Sequence, residues 1–215
     1  SQQQLYDKIY KNHIIFAYGP AGSSKTFSTM YTCLKLYSEG RVGKIILTKP
    51  IEESGDKVGF LKGTLEEKIE PYTYSFFDNI GKIIGPESIE MLTRDNVIEF
   101  KPLSFMRGSS FDNTIMILDE AQNCDFRQLM LYITRMGKNS KIIVLGDISQ
   151  HDIKKDRVAL PHFIKMIEGI RGVDTHEFTK DDIVRNKILI EITDRYEQWI
   201  ADNKIKILIF IRKDI

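Results

Sequence analysis

Short apolar runs and longer amphipathic stretches alternate along this chain. The runs IIFAY (Ile14 to Tyr18), KIILT (Lys44 to Thr48) and KIIVL (Lys141 to Leu145) are nearly continuous and rich in β-branched residues. Such runs suit strands covered on both faces, as in a parallel sheet. Ile115 to Leu118 and Asp174 to Phe178 are two further predicted strands. Helices are predicted over Lys25 to Tyr37, Phe126 to Met136, Leu160 to Glu168 and Asp182 to Ile200. A strand–helix rhythm of this kind predicts βαβ units around one central sheet. Residues 50–111 break the rhythm and read as a segment inserted into a single domain spanning residues 1–215. Within that segment GFLKGTLEEKIEPYTYSFFDNI predicts a loop followed by helices, and NVIEFKPLSFM offers an extra strand. The final IKILIFI offers a last one.

Composition narrows the class. The chain has 215 residues, 42% hydrophobic and 28% charged, the balance of a folded globular protein. A net charge of +1 excludes the strongly basic profile of a protein that coats DNA, while leaving room for a local basic face. Cys33 and Cys124 form no C-x-x-C unit and are expected as reduced thiols in a cytoplasmic protein. The polar start SQQQLYDKIYKNH lacks the apolar core of a signal peptide. The longest apolar run, ILIFI (Ile207 to Ile211), is too short to cross a bilayer, so no membrane association is expected.

The candidate chemistry begins after the first strand, where GPAGSSKT (Gly19 to Thr26) follows IIFAY. This nearly spells the phosphate-binding pattern G-x-x-x-x-G-K-[ST], in the strand–turn–helix context that it requires. Backbone N–H groups of Gly19, Pro20, Ala21, Gly22, Ser23, Ser24, Lys25, Thr26 and Phe27, proline apart, would form an anion nest at a helix N-terminus. The Lys25 ammonium would reach the β- and γ-phosphates of ATP, and the Thr26 hydroxyl would hold Mg²⁺. Ser24 stands where the pattern has its last glycine, and its Cβ penalises any positive φ. Weaker binding, rather than none, is the expectation.

Two further strand ends carry polar groups. IMILDEAQN (Ile115 to Asn123) runs an apolar strand into Asp119 and Glu120. An acid at this place lies beside the metal in P-loop enzymes, so Asp119 would hold Mg²⁺ and Glu120 would polarise the attacking water. In KIIVLGDISQHD a strand runs into Gly146-Asp147, and Gln150 would contact the γ-phosphate or the water.

The motifs GPAGSSKT, TKPIEESGDKVGFLKGTLEEKIEPY, PLSFMRGSSFDNTIMILDEAQN, LYITRMGKNSKIIVLGDISQ and FTKDDIVRNKIL together resemble the PhoH-like family of P-loop ATPases, itself similar to the first half of superfamily 1 helicases. The resemblance runs from about Gln2 to about Tyr196. It implies a P-loop NTPase (RecA-like) fold, a three-layer α/β sandwich with a mostly parallel central sheet. It also implies ATP binding and hydrolysis with Mg²⁺, and single-stranded RNA or DNA as effector. The family pattern has glycine at the place of Ser24 and Arg-Pro at the place of Lys49-Pro50. By the same resemblance one of Gln2, Gln3 or Gln4, with Gln3 as the central candidate, reads adenine, and Arg185 matches an arginine near the end of the core.

A single motor-type core lacks the second core that supplies an arginine to the γ-phosphate. Arg185 and Arg135 are therefore candidates for an arginine finger given in trans, within a homo-oligomeric ring such as a hexamer. For nucleic acid, Thr48, Lys49 and Lys57 offer phosphate contacts, Phe60 a stacking face and Arg107 a further cation, although Glu52, Glu53 and Asp56 oppose them. Two other readings stay open: a nucleotide-switched binding module with little hydrolysis, and a nucleoside kinase resembling thymidine kinases. The latter usually carry a zinc-binding cysteine set that two distant cysteines cannot build.

Overall fold

The structure is a computed structural model that describes residues 1–51, 65–148 and 159–184, together with 188, 191, 192, 194, 195, 198 and 199. It divides into two compact units, Ser1–Asp182 and Ile183–Ile215. In the second unit the described residues from Ile188 to Trp199 are helical, while Asp182, expected to open that helix, instead closes a 3₁₀ turn, Lys180–Asp182.

In the first unit, six strands form one sheet: β1 (Ile14–Tyr18), β2 (Lys44–Thr48), β3 (Ile98–Phe100), β4 (Thr114–Leu118), β5 (Lys141–Gly146) and β6 (Val173–Glu177). Their spatial order is β3-β2-β4-β5-β1-β6, and every registered pair is parallel. Among the described residues six helices accompany them: α1 (Gln2–Lys11), α2 (Lys25–Ser38), α3 (Leu65–Ile84), α4 (Pro86–Arg94), α5 (Phe126–Ile133) and α6 (Ala159–Ile167).

The continuous apolar runs explain the layering. Successive side chains of a strand point to opposite faces, so each run feeds two cores. Ile15, Ala17, Ile45, Leu47, Ile115, Ile117, Ile143 and Leu145 pack with residues of α1 to α4. The residues between them, Phe16, Ile46, Met116, Leu118, Ile142 and Val144, pack with Leu129 and Tyr132 of α5 and Leu160 and Phe163 of α6. The sheet is thus covered on both faces, which is what an all-parallel sheet needs.

Three features depart from the sequence pattern. Helix α1 is absent from the elements that the pattern predicts. Its two core positions, Leu5 and Ile9, one turn apart, are both fully buried. Helix α5 stops at Ile133, short of Met136, because the chain turns at Thr134 to bring Met136 into a parallel bridge with Phe111. Gly137 then lies so close to Phe111 that a Cβ would meet its carbonyl oxygen at 2.6 Å. Finally, β3 is only a three-residue edge strand within the stretch 50–111, paired to β2.

The parallel register aligns the carboxyl ends of β1, β2, β4 and β5 along one edge. Strand β5 lies between β1 and β4. The loop after β1 and the acidic end of β4 therefore flank the end of β5, where open α/β sheets bind ligands.

Candidate nucleotide site

The loop between β1 and α2 is shaped by close approach. Gly19 has φ +146, and a Cβ there would lie 2.3 Å from the carbonyl oxygen of Phe178, just after β6. Ser23 is fully buried, and its hydroxyl donates to the Pro20 carbonyl at 2.9 Å, closing the turn on itself. Ser24 sits at φ 62, ψ 25, in the left-handed region. The backbone has kept the conformation that suits glycine and carries a serine in it, at a cost of roughly 1–2 kcal/mol. Helix α2 starts at Lys25, so the unpaired amides of its first turn face the loop. The Lys25 ammonium lies in the curve of the loop, donating to the Gly19 carbonyl at 2.7 Å and the Pro20 carbonyl at 2.8 Å.

The end of β4 meets this loop. Asp119 is 7% exposed, and its N–H donates to the Thr48 carbonyl at 2.9 Å, continuing the β2–β4 ladder. One carboxylate oxygen, Oδ1, accepts the Glu120 N–H at 3.0 Å. The other, Oδ2, lies 3.4 Å from the Thr26 hydroxyl, which donates to it, and 3.9 Å from Lys49 Nζ. Burial, and then the charge of Glu120, push the Asp119 carboxyl up to about 6, against the pull of Lys49 and Lys25. Thr26 Oγ1 and Asp119 Oδ2 are hard oxygen donors converging from two elements. That pair fits Mg²⁺, which takes one or two protein oxygens and completes its shell with phosphate and water.

Glu120, also left-handed (φ 57), follows directly and is exposed. Gln122 donates to Glu120 Oε2 at 2.6 Å and accepts the Asp147 N–H at 3.0 Å. The Gly146 carbonyl in turn accepts the Gly19 N–H at 3.2 Å. A continuous set of hydrogen bonds therefore joins the acidic strand end, the β5 end and the loop.

Two expected nucleic-acid contacts are corrected. Thr48 is fully buried, with its hydroxyl 3.8 Å from Met106 Sδ, so it cannot face a polynucleotide. The Lys49 side chain is only 13% exposed. Its ammonium donates to Ser75 Oγ at 2.6 Å, stands 5.2 Å from the centre of the Phe76 ring, and faces Asp119. It is an internal cation of the acidic site, drawn in by a buried carboxylate. Arg107 is exposed after the 3₁₀ turn Leu103–Met106, as a surface contact requires.

Gln3 is exposed near the start of α1 and donates to Asp7 at 3.1 Å. That end of α1 is at the loop's edge of the sheet, since Ser1 Oγ is 2.9 Å from the ring of His176, the register partner of Ala17. Phe27, in the first turn of α2, is 40% exposed. Arg135 is not brought to the loop. It lies beyond the C-terminus of α5, and its guanidinium donates to the carbonyls of Ser109 and Leu131, each at 3.2 Å. Lys57, Phe60, Gln150, Arg185 and the expected C-terminal strand lie outside the described residues. Residue types alone do not reveal the Gln122 bridge or the Lys49–Asp119 approach. The Asp-Glu-x-Gln spacing is the one sequence trace of the former.

Residues 1–197 match the family described as PhoH-like protein. The chain belongs to the PhoH-like family. The PhoH-like protein of Mycobacterium tuberculosis is 38% identical over 200 residues, 93% of this chain and 57% of that protein. The PhoH-like protein of Bacillus subtilis (strain 168) is 35% identical over 198 residues, 92% of this chain and 62% of that protein. This chain thus spans less than two thirds of either relative. Among solved structures, the large terminase from a thermophilic bacteriophage superposes with a TM-score of 0.52 at 11% identity, over 86% of this chain and 44% of that one. At that identity the likeness concerns the fold. The PhoH-like chain has the P-loop NTPase fold, a three-layer α/β sandwich whose central sheet is parallel throughout its described strands. No helix among the described residues is long and apolar enough to cross a membrane.

Proposed function

We propose that this PhoH-like domain binds ATP with Mg²⁺ and hydrolyses it. Single-stranded RNA or DNA is the proposed effector, and a homo-oligomeric ring, such as a hexamer, is the proposed working state. One observation carries the catalytic part: Thr26 Oγ1 and Asp119 Oδ2 stand 3.4 Å apart, bridging the phosphate loop and the acidic strand end. On this reading the loop amides and the Lys25 ammonium bind the triphosphate, exchanging the Gly19 and Pro20 carbonyls for phosphate oxygens. Bound Mg²⁺ would offset charge on the β- and γ-phosphates. Thr26 Oγ1 and Asp119 Oδ2 would hold it. Glu120, exposed beside Asp119, takes the proton of the attacking water.

The nucleic-acid part is supported by the likeness of the motifs to a helicase core and by the exposed cation Arg107. The oligomer is supported by the place of Arg135, whose guanidinium is held by backbone carbonyls away from its own phosphate loop. A reading with binding but little hydrolysis is favoured by one observation, the strained Ser24 in the loop.

Phosphate release, measured with and without single-stranded RNA and DNA across protein concentrations, tests these together. Mg²⁺-dependent release is expected, abolished by Lys25→Ala and lowered at least about 100-fold by Glu120→Gln. Stimulation by single strands and a rate per chain that rises with concentration are expected with it. Calorimetric binding of Mg·ATP without release would favour the switch. Absence of any binding would overturn both readings.

A further inference from the structure

Gln122 is 3% exposed, yet its amide touches two different strand ends. Its Nε2 donates to Glu120 Oε2 at 2.6 Å, and its Oε1 accepts the Asp147 N–H at 3.0 Å. The orientation of this amide is determined by chemistry. A backbone N–H can only donate, so the oxygen must face Asp147, and the NH₂ must face the carboxylate. The amide also packs against the end of β5: a Cβ on Gly146 would lie 3.4 Å from Gln122 Oε1. Glutamine satisfies both ends, and its near relatives in size do not. Glutamate would set two carboxylates against each other, methionine would donate nothing, and asparagine is one methylene short.

Glu120 needs such a hold. It is exposed, and it stands on a left-handed residue at a bend, where no helix or strand restrains its rotamers. A free glutamate loses rotamer entropy when it is fixed. The hydrogen bond from a buried amide is charge-assisted and pins one oxygen. The other oxygen is left to accept from water.

We infer that Gln122 is the positioning residue for Glu120, tethering it to the backbone at the end of β5. The tether makes the geometry of the base depend on the β5 end, whose Gly146 carbonyl also accepts from Gly19 of the phosphate loop. The kinetic consequence rests on the proposed hydrolysis. The tether itself does not.

The test combines single-turnover cleavage of Mg·ATP with the NMR signals of side-chain amides. Gln122→Met is expected to leave the Mg·ATP Kd within about threefold and to slow cleavage about 10- to 100-fold. Gln122→Glu keeps the size and the acceptor for Asp147 but sets a carboxylate against Glu120 in place of the donor, so it is expected to slow cleavage at least as much. In a Glu120→Gln background either change is expected to add less than about twofold, because a positioning residue acts only through the group it positions. Equal slowing in both backgrounds, or wild-type cleavage by Gln122→Glu, would overturn the inference. In the wild-type chain the Gln122 NH₂ protons are expected to exchange slowly with solvent and to lose that protection in Glu120→Ala. Protection unchanged by Glu120→Ala would also overturn it. If the wild-type chain cleaves no ATP, the proposed function falls, and the amide signal still decides whether the tether exists.

Discussion

At the scale of single residues, Ser24 shows how a motif departure is accommodated. The loop does not reshape itself around the side chain. It holds the left-handed turn of the glycine pattern, φ 62, and the serine carries the strain. Ser24→Gly is therefore expected to raise the free energy of unfolding by roughly 0.5–1 kcal/mol, the relief of strain less the extra freedom of glycine in the unfolded chain. Ser24→Ala keeps the Cβ and is expected to gain nothing. Urea denaturation of the three proteins checks both. The motif residues Lys25, Thr26, Asp119 and Glu120 can be read from the chain because their types and spacing carry the chemistry. Lys49 cannot. Beside Thr48, in a segment of mixed charges, it reads as a surface cation. Only the pairing of β2 with β4 sets it near Asp119.

At the scale of elements, the inner strands are legible because a strand buried on both faces is apolar along its whole length. The predicted limits of β4 and β6 shift by one residue, Ile115 to Thr114 and Asp174 to Val173. The edge strand β3 is different, with only three residues and one neighbour in the sheet. Its glutamate, Glu99, forms ion pairs with Lys44 of β2 and with Lys101. Burial alone would raise the Glu99 pKa, but the hydrogen bonds from Lys101 and Lys44 outweigh it and hold the carboxyl below the usual range. A depressed folded-state pKa contributes stability above the unfolded value, near 4.5, which is lost as pH falls through the folded one. Acidification below pH 4.5 is therefore expected to weaken the β3 edge. The acid limb of a stability–pH curve should be shallower in Glu99→Gln than in the parent. Equal slopes would place the acid sensitivity elsewhere. Helix α1 escapes detection for a related reason. Only Leu5 and Ile9 mark its packed face, and two positions make too short a period to read.

At the scale of the whole molecule, the strand order decides where stability and chemistry meet. Strands β1, β4 and β5 each have two neighbours in the sheet and lie between both cores. Their amides are expected to exchange hydrogen only through global unfolding, while β3 exchanges through cheaper local opening. Native-state hydrogen exchange across a denaturant series checks this, and equal opening energies for β3 and β5 would contradict it. A rigid centre suits a site whose parts come from the ends of these same strands. From its sequence alone this chain determined a parallel α/β domain with a phosphate loop and an acidic strand end, because apolar period and motif spacing are local properties of the chain. The tertiary structure alone decided that Lys49 turns inward to Asp119, that Thr48 is hidden, and that Gln122 joins Glu120 to β5. Those contacts link positions far apart in the chain, and they exist only once the strands have taken their order in the sheet.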